Sequence, residues 1–202
     1  LREQAGDGAV EAMDLVTGGA AAMRGLTPEQ MRAAGLTRTS WWGLPARNTL
    51  DRGTALLPDL LAARLPELGI DHAVLYPTYG LFAWAPGAQE MRAVLARAFN
   101  RYSSEAFAGL RDRLEPVAVI PMIHPDEAVA ELDHAVGELG LKAVVLSNIV
   151  QRPFPDADPA SPARWIDTVG HDSIHDYGPV WARCAELGVS PTFHAAGQGW
   201  GS

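Results

Sequence analysis

Two textures alternate along this chain from Gly53 onward: stretches of helical periodicity and short, unbroken apolar runs. Leu56, Leu57, Leu60, Leu61, Leu65 and Leu68 recur at helical spacing and predict a helix over Thr54–Leu68. Pro58 and Pro66 lie inside it, where proline interrupts the hydrogen-bond ladder. Between the periodic stretches come Ala73-Val74-Leu75-Tyr76-Pro77, Val117-Ala118-Val119-Ile120-Pro121-Met122, Ala143-Val144-Val145-Leu146 and Val189-Ser190-Pro191-Thr192-Phe193-His194. These runs do not alternate polar with apolar. They predict strands at about 72–77, 116–122, 143–148 and 189–194, buried on both faces as parallel strands are when helices cover the sheet.

A recurring tetrad marks the joints. Glu67-Leu68-Gly69-Ile70, Glu138-Leu139-Gly140-Leu141 and Glu186-Leu187-Gly188-Val189 each precede a strand. Each reads as a helix end followed by a glycine free to take the left-handed cap conformation. A long helix is predicted from Ala88 to Leu114. Another opens at His124-Pro125-Asp126-Glu127, with proline at its first position and acids where the helix dipole favours them. Nearer the start, Thr27-Pro28-Glu29-Gln30 has capping-box spacing for a short helix that stops at Gly35. Ala9 to Met23 predicts a weaker, Ala-faced helix. The loop Trp41-Trp42-Gly43-Leu44-Pro45 follows, and one of its tryptophans is expected to line a cleft or a partner surface.

Helix and strand in strict alternation define an α/β protein. A doubly wound sheet and a (β/α)8 barrel both fit the order. No Gly-x-Gly-x-x-Gly or Walker pattern occurs, so the nucleotide-binding uses of a doubly wound sheet lack support. The 202 residues are 48% hydrophobic and 20% charged, enough to bury a core. A net charge of −8 argues against nucleic acid or an anionic membrane surface as partner. Cys184 is the single cysteine, which excludes an internal disulfide and a cysteine-based zinc site. No apolar run approaches the ~18 residues of a membrane span. With no signal-peptide pattern after Leu1, a soluble cytoplasmic protein is expected, and the absence of Met at position 1 points to an excerpt of a longer chain.

Both folds put their chemistry at the C-terminal ends of strands. Tyr76, Thr78 and Tyr79 follow the first strand, and His124 the second. Ser147, Asn148, Gln151 and Arg152 follow the third. Trp165, Asp167, His171, Asp172, His175 and Asp176 lie on the long loop after it, and His194 ends the fourth strand. Arg152 could bind a substrate carboxylate bidentately, or close its loop on a backbone carbonyl. Asn148 and Trp41 are further candidates for touching substrate. His171 and His175 are candidates for acid–base or metal work, although a solvated loop explains them as well. His124 suits a helix start equally. His72 and Lys142 belong to the opposite face and His134 to a helix surface.

Several of these stretches together resemble one family. Trp41-Trp42-Gly43-Leu44-Pro45, Gly69-Ile70-Asp71-His72-Ala73-Val74-Leu75-Tyr76-Pro77 and Arg113-Leu114-Glu115-Pro116-Val117-Ala118-Val119-Ile120-Pro121 look like the early barrel of the amidohydrolase-related family. Glu131-Leu132-Asp133-His134-Ala135-Val136 with Glu138-Leu139-Gly140-Leu141-Lys142, and Leu187-Gly188-Val189-Ser190-Pro191-Thr192-Phe193-His194, continue the likeness. The family includes enzymes of the aminocarboxymuconate-semialdehyde decarboxylase type. The resemblance implies a partial (β/α)8 barrel holding about strands 2 to 5. Residues 1–52 would form a helical and loop insertion between barrel strands 1 and 2, and residues 53–202 the partial barrel.

The resemblance also implies a divalent metal, usually zinc, at the barrel mouth. Of the family's ligands only the fifth-strand histidine maps here, onto His194. No His-x-His pair occurs. The implied activity is hydrolysis of a small organic substrate by a metal-activated water. The alternatives are non-oxidative decarboxylation of an unsaturated or aromatic acid and a non-catalytic barrel scaffold, and Arg152 or Arg47 could hold a substrate carboxylate in either enzymatic reading. The 202-residue chain alone is expected to be inactive. Family precedent makes a homodimer through the Trp41–Pro45 loop the expected assembly.

Overall fold

The computed structural model describes residues 6–7, 26–33, 49–78, 80–84, 91–156, 158, 163–170 and 172–194. Helix α1 is Pro28–Ala33. Its capping box is complete: the Thr27 N–H donates to Gln30 Oε1 at 2.8 Å and the Gln30 N–H to Thr27 Oγ1 at 3.2 Å. The helix expected over Thr54–Leu68 is two helices, α2 (Thr49–Leu56) and α3 (Pro58–Arg64). Pro58 occupies the first position of α3, where its missing N–H is harmless, so the chain breaks at Leu57.

Strand β1 (Ala73–Leu75) leads to a 3-10 turn (Gly80–Trp84) and then α4 (Arg92–Ala106). Helix α4 ends well before the expected Leu114, and strand β2 (Leu114–Ile120) starts there instead. Helix α5 (Pro125–Leu132) runs into a π-helical turn (Asp133–Glu138). Strand β3 (Ala143–Ser147) comes next, then β4 (Val150–Pro153), β5 (Arg164–Asp167), α6 (Gly178–Glu186) and β6 (Pro191–His194). The region read as one long loop after β3 thus contains an antiparallel hairpin, with Val150 opposite Asp167 and Arg152 opposite Trp165.

The three tetrads behave as their glycines require. Gly69, Gly140 and Gly188 have φ of 68°, 68° and 69°. After α3 and α6 the chain closes Schellman turns, with Ile70 N–H to Leu65 C=O and Val189 N–H to Cys184 C=O, both at 3.0 Å. After α5 the equivalent bond, Leu141 N–H to Ala135 C=O at 3.0 Å, spans one residue more because the last turn is π-wound.

Strands β1, β2, β3 and β6 form one sheet in that order, every neighbouring pair parallel. Sheet order equals chain order, with no reversal. That separates the two readings, because a doubly wound sheet needs a switch point where the order turns back. The sheet curls into half of a (β/α)8 barrel. Its central strands are buried on both faces. Ala118, Ile120, Val144 and Leu146 pack with Ala128, Leu132, Ala135, Val180 and Cys184 from the α5 and α6 layer. Val117, Val119 and Val145 gather with Leu81, Ala83, Leu95 and Ala96. The outer strands are barer, with Val74 half exposed on β1 and Phe193 half exposed on β6.

One polar side chain ties α4 into the sheet. Strand β1 pairs with β2 only as far as Pro116. Three residues on, the Val119 N–H donates to Asn100 Oδ1 at 2.7 Å, and Asn100 Nδ2 donates to the Val119 carbonyl at 2.9 Å. The carboxamide, fully buried, continues the ladder where the strand stops. Asn100 Nδ2 also donates to Glu131 Oε1 of α5 at 2.8 Å. A bidentate Arg92–Glu127 pair at 2.8 and 2.9 Å binds the same two helices nearer the strands' C-terminal ends.

Candidate functional site at the C-terminal rim

Parallel order sends β2, β3 and β6 out of the sheet at the same end. Ser147 and His194 are register partners at the last rung of β3 and β6. His194 therefore stands on the rim where Met122 follows β2 and Asn148 follows β3. Both Asn148 and His194 are exposed. The Ser147 hydroxyl donates to the Ile149 carbonyl at 2.5 Å and turns the chain toward the hairpin.

The hairpin is fastened to the rim by a buried network. Arg152 Nε donates to Asp167 Oδ2 at 2.5 Å. Arg152 Nη2 donates to the Ile123 carbonyl at 3.0 Å and to the Tyr177 hydroxyl at 2.9 Å. The Tyr177 hydroxyl in turn donates to the Met122 carbonyl. Asp167 Oδ1 accepts from the Val169 N–H at 2.9 Å, and Oδ2 also accepts from Ser173 Oγ at 2.8 Å. Every strong group here is satisfied, as a buried ion pair requires. Burial pushes the Asp167 carboxyl up, but the Arg152 hydrogen bond, the Val169 N–H and the Ser173 hydroxyl outweigh it and hold it below its usual range. Burial pushes the Tyr177 phenol up to about 12, so it remains a hydrogen-bond donor. Val169 takes φ of 53°, strained for a β-branched residue, while its N–H closes onto Asp167.

Above this network lie two imidazoles. The rings of His124 and His175 meet edge to face with centroids 5.3 Å apart. His175 is 6.4 Å from the Tyr177 ring, and Trp181 and Phe193 extend the aromatic series at 6.4 and 6.2 Å. His124 occupies the N-cap position of α5 without making a side-chain capping bond. Burial, the Arg152 charge and His124 hold His175 below the ordinary histidine range, against smaller opposing effects of Asp167 and Asp126.

The predicted residues therefore separate. His124 and His175 come together at the end of β2, and His194 and Asn148 sit on the β3–β6 side of the same rim. The guanidinium of Arg152 faces inward, on Asp167, Tyr177 and Ile123. Trp41, Arg47 and His171 lie outside the described residues. His134, expected on a helix surface, is largely covered, and its Nδ1 lies 2.9 Å from Glu138 Oε2. Tyr177 and Val169 escaped the sequence reading. Tyr177 immediately precedes the helix-opening Gly178-Pro179, which would have placed it at the rim. Nothing in the sequence marks the strain at Val169. Among the described residues no three His, Cys, Asp or Glu side chains converge as a metal site.

Half of a (β/α)8 barrel with its polar residues at the strands' C-terminal ends defines an α/β-barrel protein. The chain belongs to the amidohydrolase family, whose model matches residues 45–201. No curated protein sequence matches it. Among solved structures it is similar to a dihydroxybenzoic acid decarboxylase from Polaromonas sp. JS666, bound to manganese and 2-nitroresorcinol, with 23% identity and a TM-score of 0.56 over 83% of this chain and 46% of that one. A 5-carboxyvanillate decarboxylase from Novosphingobium aromaticivorans DSM 12444, bound to manganese, gives 14% identity and a TM-score of 0.56 over 92% of this chain and 46% of that one. A 2,6-dihydroxybenzoate decarboxylase from Rhizobium gives 20% identity and 0.51, over 83% and 46%. The chain spans about half the length of these structures. No described helix is long and apolar enough to cross a membrane.

Proposed function

We propose that this chain supplies half the barrel of a divalent-metal-dependent decarboxylase acting on an aromatic or unsaturated carboxylic acid. The observation that carries this reading is His194, at the C-terminal end of β6 in a parallel arc of the amidohydrolase family. The decarboxylases of similar fold that contain manganese support the choice of reaction. A bound metal would supply Lewis-acid stabilisation of the substrate's oxygens. A catalytic metal takes about three protein ligands. The described residues offer one, His194, so any others come from outside them. Loss of carbon dioxide leaves a carbanion that must take up a proton, which calls for a general acid beside the metal. Hydrolysis through a metal-activated water is the second reading, supported by the family's own name.

The test uses the product of the reading frame that encodes this chain, loaded with manganese or zinc. It is offered 2,6-dihydroxybenzoate and a set of lactones and amides. Carbon dioxide release is expected, falling at least about a hundredfold in His194→Ala, because even the partners of metal ligands are worth about 10–100-fold. Ring opening without carbon dioxide would replace decarboxylation by hydrolysis. Inertness with either metal would favour a scaffold.

A further inference from the structure

The rim carries a second cluster, two strands away from His194. At a strand spacing of about 4.8 Å, the ends of β2 and β6 lie roughly 10 Å apart in the sheet. His124 is the N-cap of α5, and His175 precedes the first residue of α6 by three positions. The two helices pack against each other through Ala128, Leu132, Val180 and Cys184, and each leads into one of two parallel strands, β3 and β6, so their N-termini lie at the same end. The imidazole pair thus sits where two helix dipoles present their positive ends. Beneath it is the Arg152 guanidinium, whose charge is balanced by Asp167. Both rings are partly exposed, and among the described residues neither has a hydrogen-bond partner for its ring nitrogens. Two accessible, unengaged imidazoles against a fixed, buried ion pair are more than helix capping requires.

We propose that His124 and His175 form a carboxylate-binding subsite, separate from His194, in which the pair takes up a proton as the carboxylate arrives. The charge environment selects an anion over a cation. Arg152 and the two helix N-termini oppose a bound metal ion. The acidic groups whose charge acts on His175 are Asp167, neutralised by Arg152, and the exposed Asp126. The depressed proton affinity of His175 fits an imidazole that gains its proton when an anion supplies the missing counter-charge. The ligand class is a small organic carboxylate. The subsite stands independently of the metal chemistry proposed for His194.

The test follows the imidazole Cε1–H signals of the 202-residue chain by NMR as pH is varied, with assignments from His→Gln variants. Benzoate is the probe, with acetate and chloride at matched ionic strength as comparisons. Benzoate is expected to raise the midpoints of both His124 and His175. A ligand preferring the protonated pair tenfold moves them by about one pH unit. His124→Gln should abolish the response at His175, and His175→Gln the response at His124, while His194→Gln leaves both in place. Acetate matching benzoate would assign recognition to the carboxylate alone. A larger response to benzoate would add the aromatic ring, and both results support the subsite. Three results would overturn it: chloride moving the midpoints as far as benzoate, a response confined to His194, or micromolar zinc silencing both titrations. A response confined to His194 would leave the decarboxylase reading standing, and an inactive enzyme with the paired response intact would sink that reading alone.

Discussion

Asp167 shows how one residue can hold a rim together. It is fully buried, accepts from Arg152, Val169 and Ser173, and has its carboxyl held below the usual range. Asp167→Asn keeps the shape but leaves the Arg152 charge buried and unpaired. A loss of about 3–5 kcal/mol is expected at neutral pH, measured by urea unfolding. The pH dependence carries a sign. A carboxyl with a depressed folded-state pKa contributes stability that is present above its unfolded value and lost as pH falls through the folded one. Wild type and variant should therefore converge in strong acid. The sequence placed Arg152 and Asp167 near the strand ends but could not pair them, because 15 residues and a turn separate them. It offered Arg152 two fates, a substrate carboxylate or a loop carbonyl. The structure has its guanidinium on the Ile123 carbonyl, with Asp167 and Tyr177 on its other donors.

At the scale of elements, Asn100 makes a helix do part of a strand's work. Asn100→Leu would strand the N–H and C=O of Val119 in a dry interior. At about 1–3 kcal/mol for each group left unsatisfied, the expected loss is on the order of 3 kcal/mol, read from the urea midpoint at unchanged slope. Asn100→Asp should cost more. It restores the acceptor for the Val119 N–H, but places a carboxylate against the Val119 carbonyl and against Glu131, whose own carboxyl burial already pushes up. Unbroken apolar runs and Glu-Leu-Gly tetrads made the four parallel strands and their helix ends legible in the sequence. The hairpin was not. Val150-Gln151-Arg152-Pro153 and Arg164-Trp165-Ile166-Asp167 are four residues each, half polar, and joined by a long connection rather than a tight turn. Their period of two is too short to stand out from a loop, and only tertiary contacts through Arg152 fix it.

At the scale of the molecule, the chain is a four-stranded arc that spans 46% of the decarboxylases it resembles in fold. One histidine cannot hold a catalytic metal against water. Calorimetric titration of the 202-residue chain with manganese or zinc is expected to give no tight, stoichiometric binding, and a sub-micromolar site would show that residues outside the described ones complete it. The alternation of helix and strand made the α/β class readable but left a barrel and a doubly wound sheet both open; the family resemblance pointed to the barrel, and the sheet order β1-β2-β3-β6 bears it out. The imidazole pair was not readable as a pair, because His124 and His175 are 51 positions apart and meet only through the packing of α5 on α6.

The same sequential order grades how the arc comes apart. Among the described residues, β2 and β3 are shielded on both faces and flanked on both edges, whereas β1 and β6 each pair with a strand on one edge only and carry a half-bare side chain. Fraying therefore starts at the margins and works inward. The amide protons of Val117–Ile120 and Val144–Leu146 are the last to trade with solvent, and the histidine at the end of β6 belongs to the part of the molecule that breathes first.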